Sequence, residues 1–241
     1  MTLAPQRIVC LTEETTEWLY LLGQEARIVG ISGYTVRPPQ ARRDKPKVSA
    51  FLSAKIDKIL ALKPDCVFGF SDLQADIAAL LIRAGVQVTV FNQRSGDEIF
   101  SMLYQVAAMV GEAQQGLERI AAWRADLDAM RARVLDLQAR GARRPRVYFE
   151  EWDTPQISAI RWVSELTGVA GGDDIFPELA LESLGKNRIW RMTMQSCSVR
   201  PTSLSAPGAA KNFDPKTSRP ARAGTRCPPC ATVICTRSNR R

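Results

Sequence analysis

Between residues 112 and 140 apolar side chains recur in steps of three and four. They stand at Leu117, Ile120, Trp123, Leu127, Met130, Val134 and Leu137, which is one stripe of a helix. The remaining faces carry Glu118, Arg119, Arg124, Asp126, Asp128, Arg131 and Arg133, mixed in sign as on a solvated surface. No proline interrupts the run, and its single glycine, Gly116, lies near the start. Such a helix is about 40 Å long, longer than a typical globular helix. A spacing near 3.5 also suits a coiled-coil segment. Strand-and-helix alternation on both sides favours a rigid spine joining two lobes.

The pattern before the spine switches repeatedly between short apolar runs and helical spacing. Residues 7–12, 28–32, 66–70 and 86–91 read as strands. A helix follows the first strand, with Thr12 or Thr15 as its cap, Trp18, Leu19 and Leu22 inward, and Gly23 at its end. Residues 33–39 form a loop, since Pro38 and Pro39 forbid regular structure, and the chain stays irregular to about Ser53. Further helices are expected over 54–63, 74–84 and 97–110. After the spine, residues 146–152 are a fifth strand, 153–156 a loop and 160–169 a helix. Trp162, Val163 and Leu166 lie on its inner face, and Gly171-Gly172 closes it. Alternation of this kind implies βαβ units and parallel sheets. The fold class is α/β: two Rossmann-like lobes bridged by one long helix. The domains are 1–111, the spine 112–140, the start of a second lobe 141–191, and an irregular tail 192–241.

Right-handed crossovers send the loops after parallel strands to one edge of the sheet, where ligands of open α/β sheets bind. The residues falling there are Thr12, Glu13 and Glu14; Gly33, Tyr34 and Arg37; Phe70, Ser71 and Asp72; Asn92, Gln93 and Arg94. Glu13, Glu14, Glu150 and Glu151 have the chemistry of acid–base catalysts, but carboxylates at strand ends are more often plain surface groups. Trp162 is expected in the core, and Trp152, between acids just past a strand, is balanced between surface and ligand contact.

Composition narrows the function. The net charge is +8, yet residues 1–191 hold 24 basic and 24 acidic side chains, and residues 192–241 hold nine basic residues against Asp214 alone. A balanced body carries no electrostatic footprint for nucleic acid. There is no histidine, which excludes a His-ligated metal, a Ser-His-Asp triad and a Cys-His dyad. Cys10 and Cys66 sit in apolar strands as buried thiols. No apolar run reaches the length of a membrane span, and the N-terminus enters a strand without the pattern of a secretory leader.

The tail shows neither helical nor strand periodicity and is rich in Ser, Arg, Pro, Thr and Cys. Cys227-Pro-Pro-Cys230 could be a redox or zinc pair, though a lone CxxC is a weak signal. The preferred reading is an out-of-frame product of GC-rich coding DNA. Codons can be chosen for Leu204 to Thr217 so that a neighbouring frame reads as a strand end and a polar loop. On that reading the second lobe is incomplete and its sheet keeps an exposed edge.

The stretch KVSAFLSAKIDKILALKPDCVFGFSD, from Lys47 onward, and YFEEWDTPQISAIRWVSELTGVAGGDDIFPEL, residues 148–179, carry a family resemblance. The chain resembles the substrate-binding components of ABC importers for cobalamin and ferric siderophores over residues 7–190. The resemblance implies non-enzymatic binding of a corrinoid, siderophore or tetrapyrrole in a cleft between two lobes, by a monomer, for delivery to a permease. It would place Glu13, Glu14, Tyr34, Phe51, Ser71, Asp72, Asn92, Gln93 and Arg94 on the rim of the first lobe. Glu150, Glu151, Trp152, Asp153 and Arg161 would face them. Tyr34, Phe51 and Trp152 would pack on a flat macrocycle, and Arg37 and Arg94 would pair with its anionic groups. No catalytic residue, metal or cofactor is implied. The family docks through a glutamate on each lobe; here that position falls near residues 74–76, where only Asp76 is acidic. The resemblance implies the periplasm, and the missing leader keeps the cytoplasm as the alternative. The competing classes are a cytoplasmic corrinoid- or tetrapyrrole-handling protein on the same fold and an enzyme using the cleft carboxylates.

Overall fold

A computed structural model describes residues 3–190, together with the backbone alone of the short segments 203–205 and 234–235. The chain forms two compact units, Met1–Ala125 and Asp126–Arg241.

The first unit is a five-stranded sheet in the order β3-β2-β1-β4-β5. The strands are β1 (Ile8–Cys10), β2 (Ile28–Ser32), β3 (Lys47–Ser49), β4 (Cys66–Phe70) and β5 (Val88–Phe91), and every pairing is parallel. Its helices are α1 (Glu13–Leu21), α2 (Pro39–Asp44), α3 (Ile56–Ala61), α4 (Ala75–Arg83) and α5 (Gly96–Met109). Helices cover both faces, so the central strands read as unbroken apolar runs. On one face Ile8, Cys10, Ile28, Ile31 and Phe68 pack against Trp18 and Leu19 of α1 and Met102 and Val106 of α5. On the other, Val9, Val48 and Val67 pack against Ile59 of α3 and Ile77 and Leu81 of α4. Cys10 and Cys66 are buried free thiols, as expected, and burial pushes both up to about 12.

Two expectations for this unit need correction. Residues 39–53 are not irregular: they hold α2 and β3, and Pro39, expected to forbid regular structure, is the first residue of α2, where a proline's missing N–H costs nothing. Both elements are too short for periodicity to reveal. Thr12 is the N-cap residue of α1, but its side chain makes no capping bond. Instead the hydroxyls of Thr15 and Thr16 donate back to the Thr12 carbonyl, at 3.3 and 3.2 Å.

Helix α6 (Ala113–Ala139, 27 residues) is continuous and begins in the first unit. Ile120 is buried, Trp123 packs 5.5 Å from Trp18, and the Trp18 indole N–H donates to the Leu103 carbonyl at 2.8 Å. Gly116 lets α6 approach α5 closely: a Cβ there would stand 2.5 Å from the Ala107 Cβ. The apolar stripe is not buried along its length, however. Leu117, Met130 and Leu137 are exposed. Spacing shows which residues share a face, not what covers that face.

The second unit is built on β6 (Arg146–Asp153), with β7 (Gln156–Ser158) antiparallel to it and β8 (Asp173–Asp174) parallel. The expected loop at 153–156 is thus the turn of a hairpin. Helix α7 (Arg161–Val169) follows, and α8 (Pro177–Ala180) comes after β8. Gly171 at φ +88 ends α7, with its N–H and that of Gly172 donating to the Gly168 and Thr167 carbonyls, the glycine closure expected from the sequence. Tyr148, Phe176 and Trp190 form an aromatic cluster with ring centres 4.9–6.0 Å apart.

The free edge expected beside β6 is occupied. Strand β9 (Ser203–Ser205) pairs with β6 in parallel, and β10 (Ile234–Cys235) pairs with β9. Such short strands leave no mark on sequence periodicity. The reading of the tail as out of frame, and the Cys227–Cys230 pair, otherwise lie outside the described residues. Trp162 was expected inward, but it is 37% exposed, as is Leu166 at 41%; of the three only Val163 is buried. Trp162 and Leu166 line a shallow apolar groove with Pro145, Val147 and Phe149.

The α5–α6 contact makes a clear forecast. Helix propensity alone would make Gly116→Ala about 1 kcal/mol more stable. The clash with Ala107 reverses that sign, so the urea midpoint of the Gly116→Ala variant should fall, and that of Gly116→Leu should fall further. An unchanged or raised midpoint for the alanine variant would show that the two helices separate freely.

Candidate functional site

In the order β3-β2-β1-β4-β5 the succession of strands reverses between β1 and β4 while all strands stay parallel, and the crevice beyond the carboxyl ends of these two strands is the natural ligand position of such a sheet. Thr12, Glu13 and Glu14 follow β1, and Ser71 and Asp72 follow β4. Asn92, Gln93 and Arg94 follow β5.

Phe70 ends β4 with its ring half-buried. Phe51, from the turn after β3, packs with its ring centre 6.2 Å from that of Phe70 at a tilt of 44°, and the Arg94 guanidinium lies over the Phe70 ring, 4.8 Å from its centre. Arg94 also bonds the Asn92 side-chain oxygen at 3.0 Å and reaches Asp72 at 3.8 Å. The backbone around Arg94 is held by a capping box: Glu98 accepts from the N–H of both Arg94 and Ser95, and the Ser95 hydroxyl accepts from the Glu98 N–H. This box, Ser-x-x-Glu before an apolar helix, is a signal the sequence carries.

Glu14 and Gln93 form a second pair. The Gln93 amide N–H donates to Glu14 at 3.1 Å. Burial raises the Glu14 carboxyl above its ordinary value, against the lowering effect of its own backbone N–H and of Thr12. The Gln93 side-chain oxygen is buried without a partner. Glu13 stands half-buried in the first turn of α1.

Tyr34 is 58% exposed on its loop. Arg37 turns to Glu17 on α1, 3.1 Å away. Ser71 is buried at φ 56 and ψ 176, a region open almost only to glycine. Its hydroxyl accepts from the Leu73 N–H at 3.2 Å. Asp76 is exposed in the first turn of α4, but Gln74 beside it is 1% exposed and faces inward.

In the second unit the five expected residues divide. Glu150 accepts from the Tyr148 hydroxyl at 3.2 Å, and burial raises both groups. Glu151 pairs with Arg188 at 2.6 Å, and Arg161 with Glu165 at 2.9 Å. Trp152 is 54% exposed, its indole N–H donating to the Thr154 carbonyl. Asp153 closes the hairpin against Gln156. Arg188, only 2% exposed, was not foreseen. It donates to the carbonyls of Ser158, Glu182 and Ser183 as well as to Glu151, tying the hairpin to the following loop. An isolated arginine in a polar stretch gives no signal of such a role.

Among the described residues no group of acidic or cysteine side chains could hold a metal, and no helix is long and apolar enough to cross a membrane.

The profile of the periplasmic binding protein family matches residues 8–191. The chain belongs to the periplasmic binding protein family. This is a family of ligand-binding rather than catalytic proteins, and its members are periplasmic. The vitamin B12-binding protein of Vibrio vulnificus (strain YJ016) is 24% identical over 189 residues, covering 74% of this chain and 67% of the relative. The chain thus spans about two thirds of that protein. The periplasmic vitamin B12-binding protein of Vibrio cholerae has a similar fold, with a TM-score of 0.66 at 21% identity over 84% of this chain and 76% of the other. A periplasmic haem-binding protein of Pseudomonas aeruginosa gives 0.70 at 20% identity over 84% and 71%.

Two substitutions test the site's electrostatics and strain. A carboxyl whose folded value is raised opposes folding once pH passes the unfolded value, ordinarily 4.5. Glu14→Gln should therefore raise the unfolding midpoint at pH 7–8, with the gain shrinking as pH falls toward that value. A gain independent of pH would mean that Glu14 is not buried in charged form. Ser71→Gly should stabilise by about 1 kcal/mol in urea, because glycine adopts that backbone without strain. A loss would show that the hydroxyl's bond to Leu73 outweighs the strain.

Proposed function

We propose that this chain binds a large, flat, mostly apolar ring compound with ionic side groups, of the corrinoid or haem type. The ligand lies across the carboxyl edge of the first unit's sheet and is passed unchanged to an ABC importer in the periplasm. A ferric siderophore is the alternative ligand of the same class. The observation that carries this reading is the half-buried stack of Phe51, Phe70 and Arg94 beside the β1–β4 switch. Two aromatic rings offer a wide apolar contact with few rotamers to freeze, and a guanidinium at their margin suits a carboxylate or phosphate. The named ligands of the Vibrio and Pseudomonas proteins, vitamin B12 and haem, have this chemistry. On this reading Tyr34, Glu13, Asp72, Asn92 and Gln93 complete the rim, and Trp152 is the exposed aromatic of the second unit. Glu14 and Glu150 are each engaged by a neighbouring side chain, which supports binding over acid–base chemistry. Asp76, exposed at the start of α4, is the acidic residue placed to meet a permease.

Titration of the full chain with cyanocobalamin and with haemin, followed by tryptophan quenching, tests the reading. Saturable one-to-one binding of at least one, with the ligand recovered unaltered, is expected. Phe51→Ala should weaken it by ~2 kcal/mol, the effect of removing a central aromatic anchor. No saturable binding of either, or binding indifferent to Phe51, would overturn it.

A further inference from the structure

Strand β1 stops short. Its pairing with β4 ends at Cys10 opposite Phe68, with the Leu11 N–H donating to the Phe68 carbonyl at 2.9 Å. Beyond that point Phe70 continues β4 against β5 alone. On the β1 side its N–H faces the crevice at the switch, where an unpaired donor would be costly once a ligand excluded water.

Gln74 fills this place. Its side-chain oxygen accepts from the Phe70 N–H at 2.9 Å. Its side-chain nitrogen donates to the Phe51 carbonyl at 2.9 Å and, more weakly, to the Leu11 carbonyl at 3.5 Å. One carboxamide thus joins the ends of β1 and β4 to the turn after β3. Only a group that both accepts and donates can do this. Gly69 leaves the room, since a Cβ on it would stand 3.1 Å from the Gln74 oxygen. The strained backbone of Ser71 lies in the same turn, and the Gln74 N–H donates to the Ser71 carbonyl at 3.2 Å.

We infer that Gln74 is the positioning residue of the binding rim. Its amide closes the crevice between β1 and β4 and sets Phe51 beside Phe70, so that a ring ligand rests on the aromatic pair and does not enter the sheet. The inference builds on the binding reading above, but its first test does not need a ligand.

Hydrogen exchange on the full chain would compare wild type with Gln74→Met, which keeps the bulk but neither bond, and with Gln74→Glu, which at neutral pH keeps only the acceptor. Gly69→Ala is the milder variant, displacing the amide by a few tenths of an ångström. In Gln74→Met the amides of Phe70 and of Ala50, which bonds Ser53 within the Phe51 turn, should exchange about fivefold faster or more, the factor of one ordinary hydrogen bond. Val67, bonded to Gln87 in the sheet, should not change. Gln74→Glu should release Ala50 but protect Phe70, a split that general loosening would not produce. Unchanged exchange at Ala50 and Phe70, or equal acceleration at Val67, overturns the assignment.

The second measurement is dissociation of cyanocobalamin or haemin, whichever the wild type holds. It should quicken by a similar factor in Gln74→Met and by less in Gly69→Ala. Released amides with unaltered dissociation would overturn the link to ligand. A wild type that holds neither probe would sink the binding reading while leaving the exchange result to decide what Gln74 does.

Discussion

The first unit depends on the backbone pairing of β1 with β2 on one side and β4 on the other. β1 has three residues, all without exposure. Ile8 and Cys10 belong to the core beneath α1 and α5, and Val9 to the core beneath α3 and α4. One strand therefore serves both layers, and its alternation assigns each side chain to a face. A register slip of one residue would exchange the two sets. The same strand decides where a ligand can bind, because strand order reverses between β1 and its parallel neighbour β4 and the connections beyond them run to opposite sides. The aromatic rim and the Glu14–Gln93 pair both stand around that point.

The rim is polar in composition yet largely satisfied internally. Arg94 is held by Asn92, Asp72 and the face of Phe70, Glu14 by Gln93, and Phe51 through its backbone by Gln74. Side chains tied in this way lose little further freedom when a ligand arrives, which favours a largely preformed surface. Ser71 in a nearly glycine-only conformation fits the same picture, since strain survives only where neighbours over-determine it.

The second unit follows other rules. Its strand β6 is flanked by an antiparallel hairpin partner and by short parallel strands, and a buried arginine organises the loop after the hairpin. Arg188 is compensated by one carboxylate and three carbonyls, as a buried charge must be. Of the residues expected at a site in this unit, Glu151 and Arg161 are occupied by ion pairs and Glu150 by the Tyr148 hydroxyl, while Trp152 and Asp153 are exposed.

Local and periodic features were legible in the residue order. β2 and β4 have the ends that apolar runs suggest, α6 the extent that its three-and-four spacing suggests, and α7 the glycine closure. These depend on neighbours within one or two turns of the chain. The candidate rim was also approachable, because parallel topology sends particular loops to one edge. What no local rule could supply were the contacts between distant segments: Gln74 with Leu11 and Phe51, Arg188 with Glu151 and Ser158, and Gly116 with Ala107. The strands drawn from the tail, and the exposure of Trp162 and Leu166, belong to the same class. Periodicity tells which side chains share a face and leaves open what lies against it. Hydrogen bonds and burial between residues far apart in the chain exist only once the sheet is assembled.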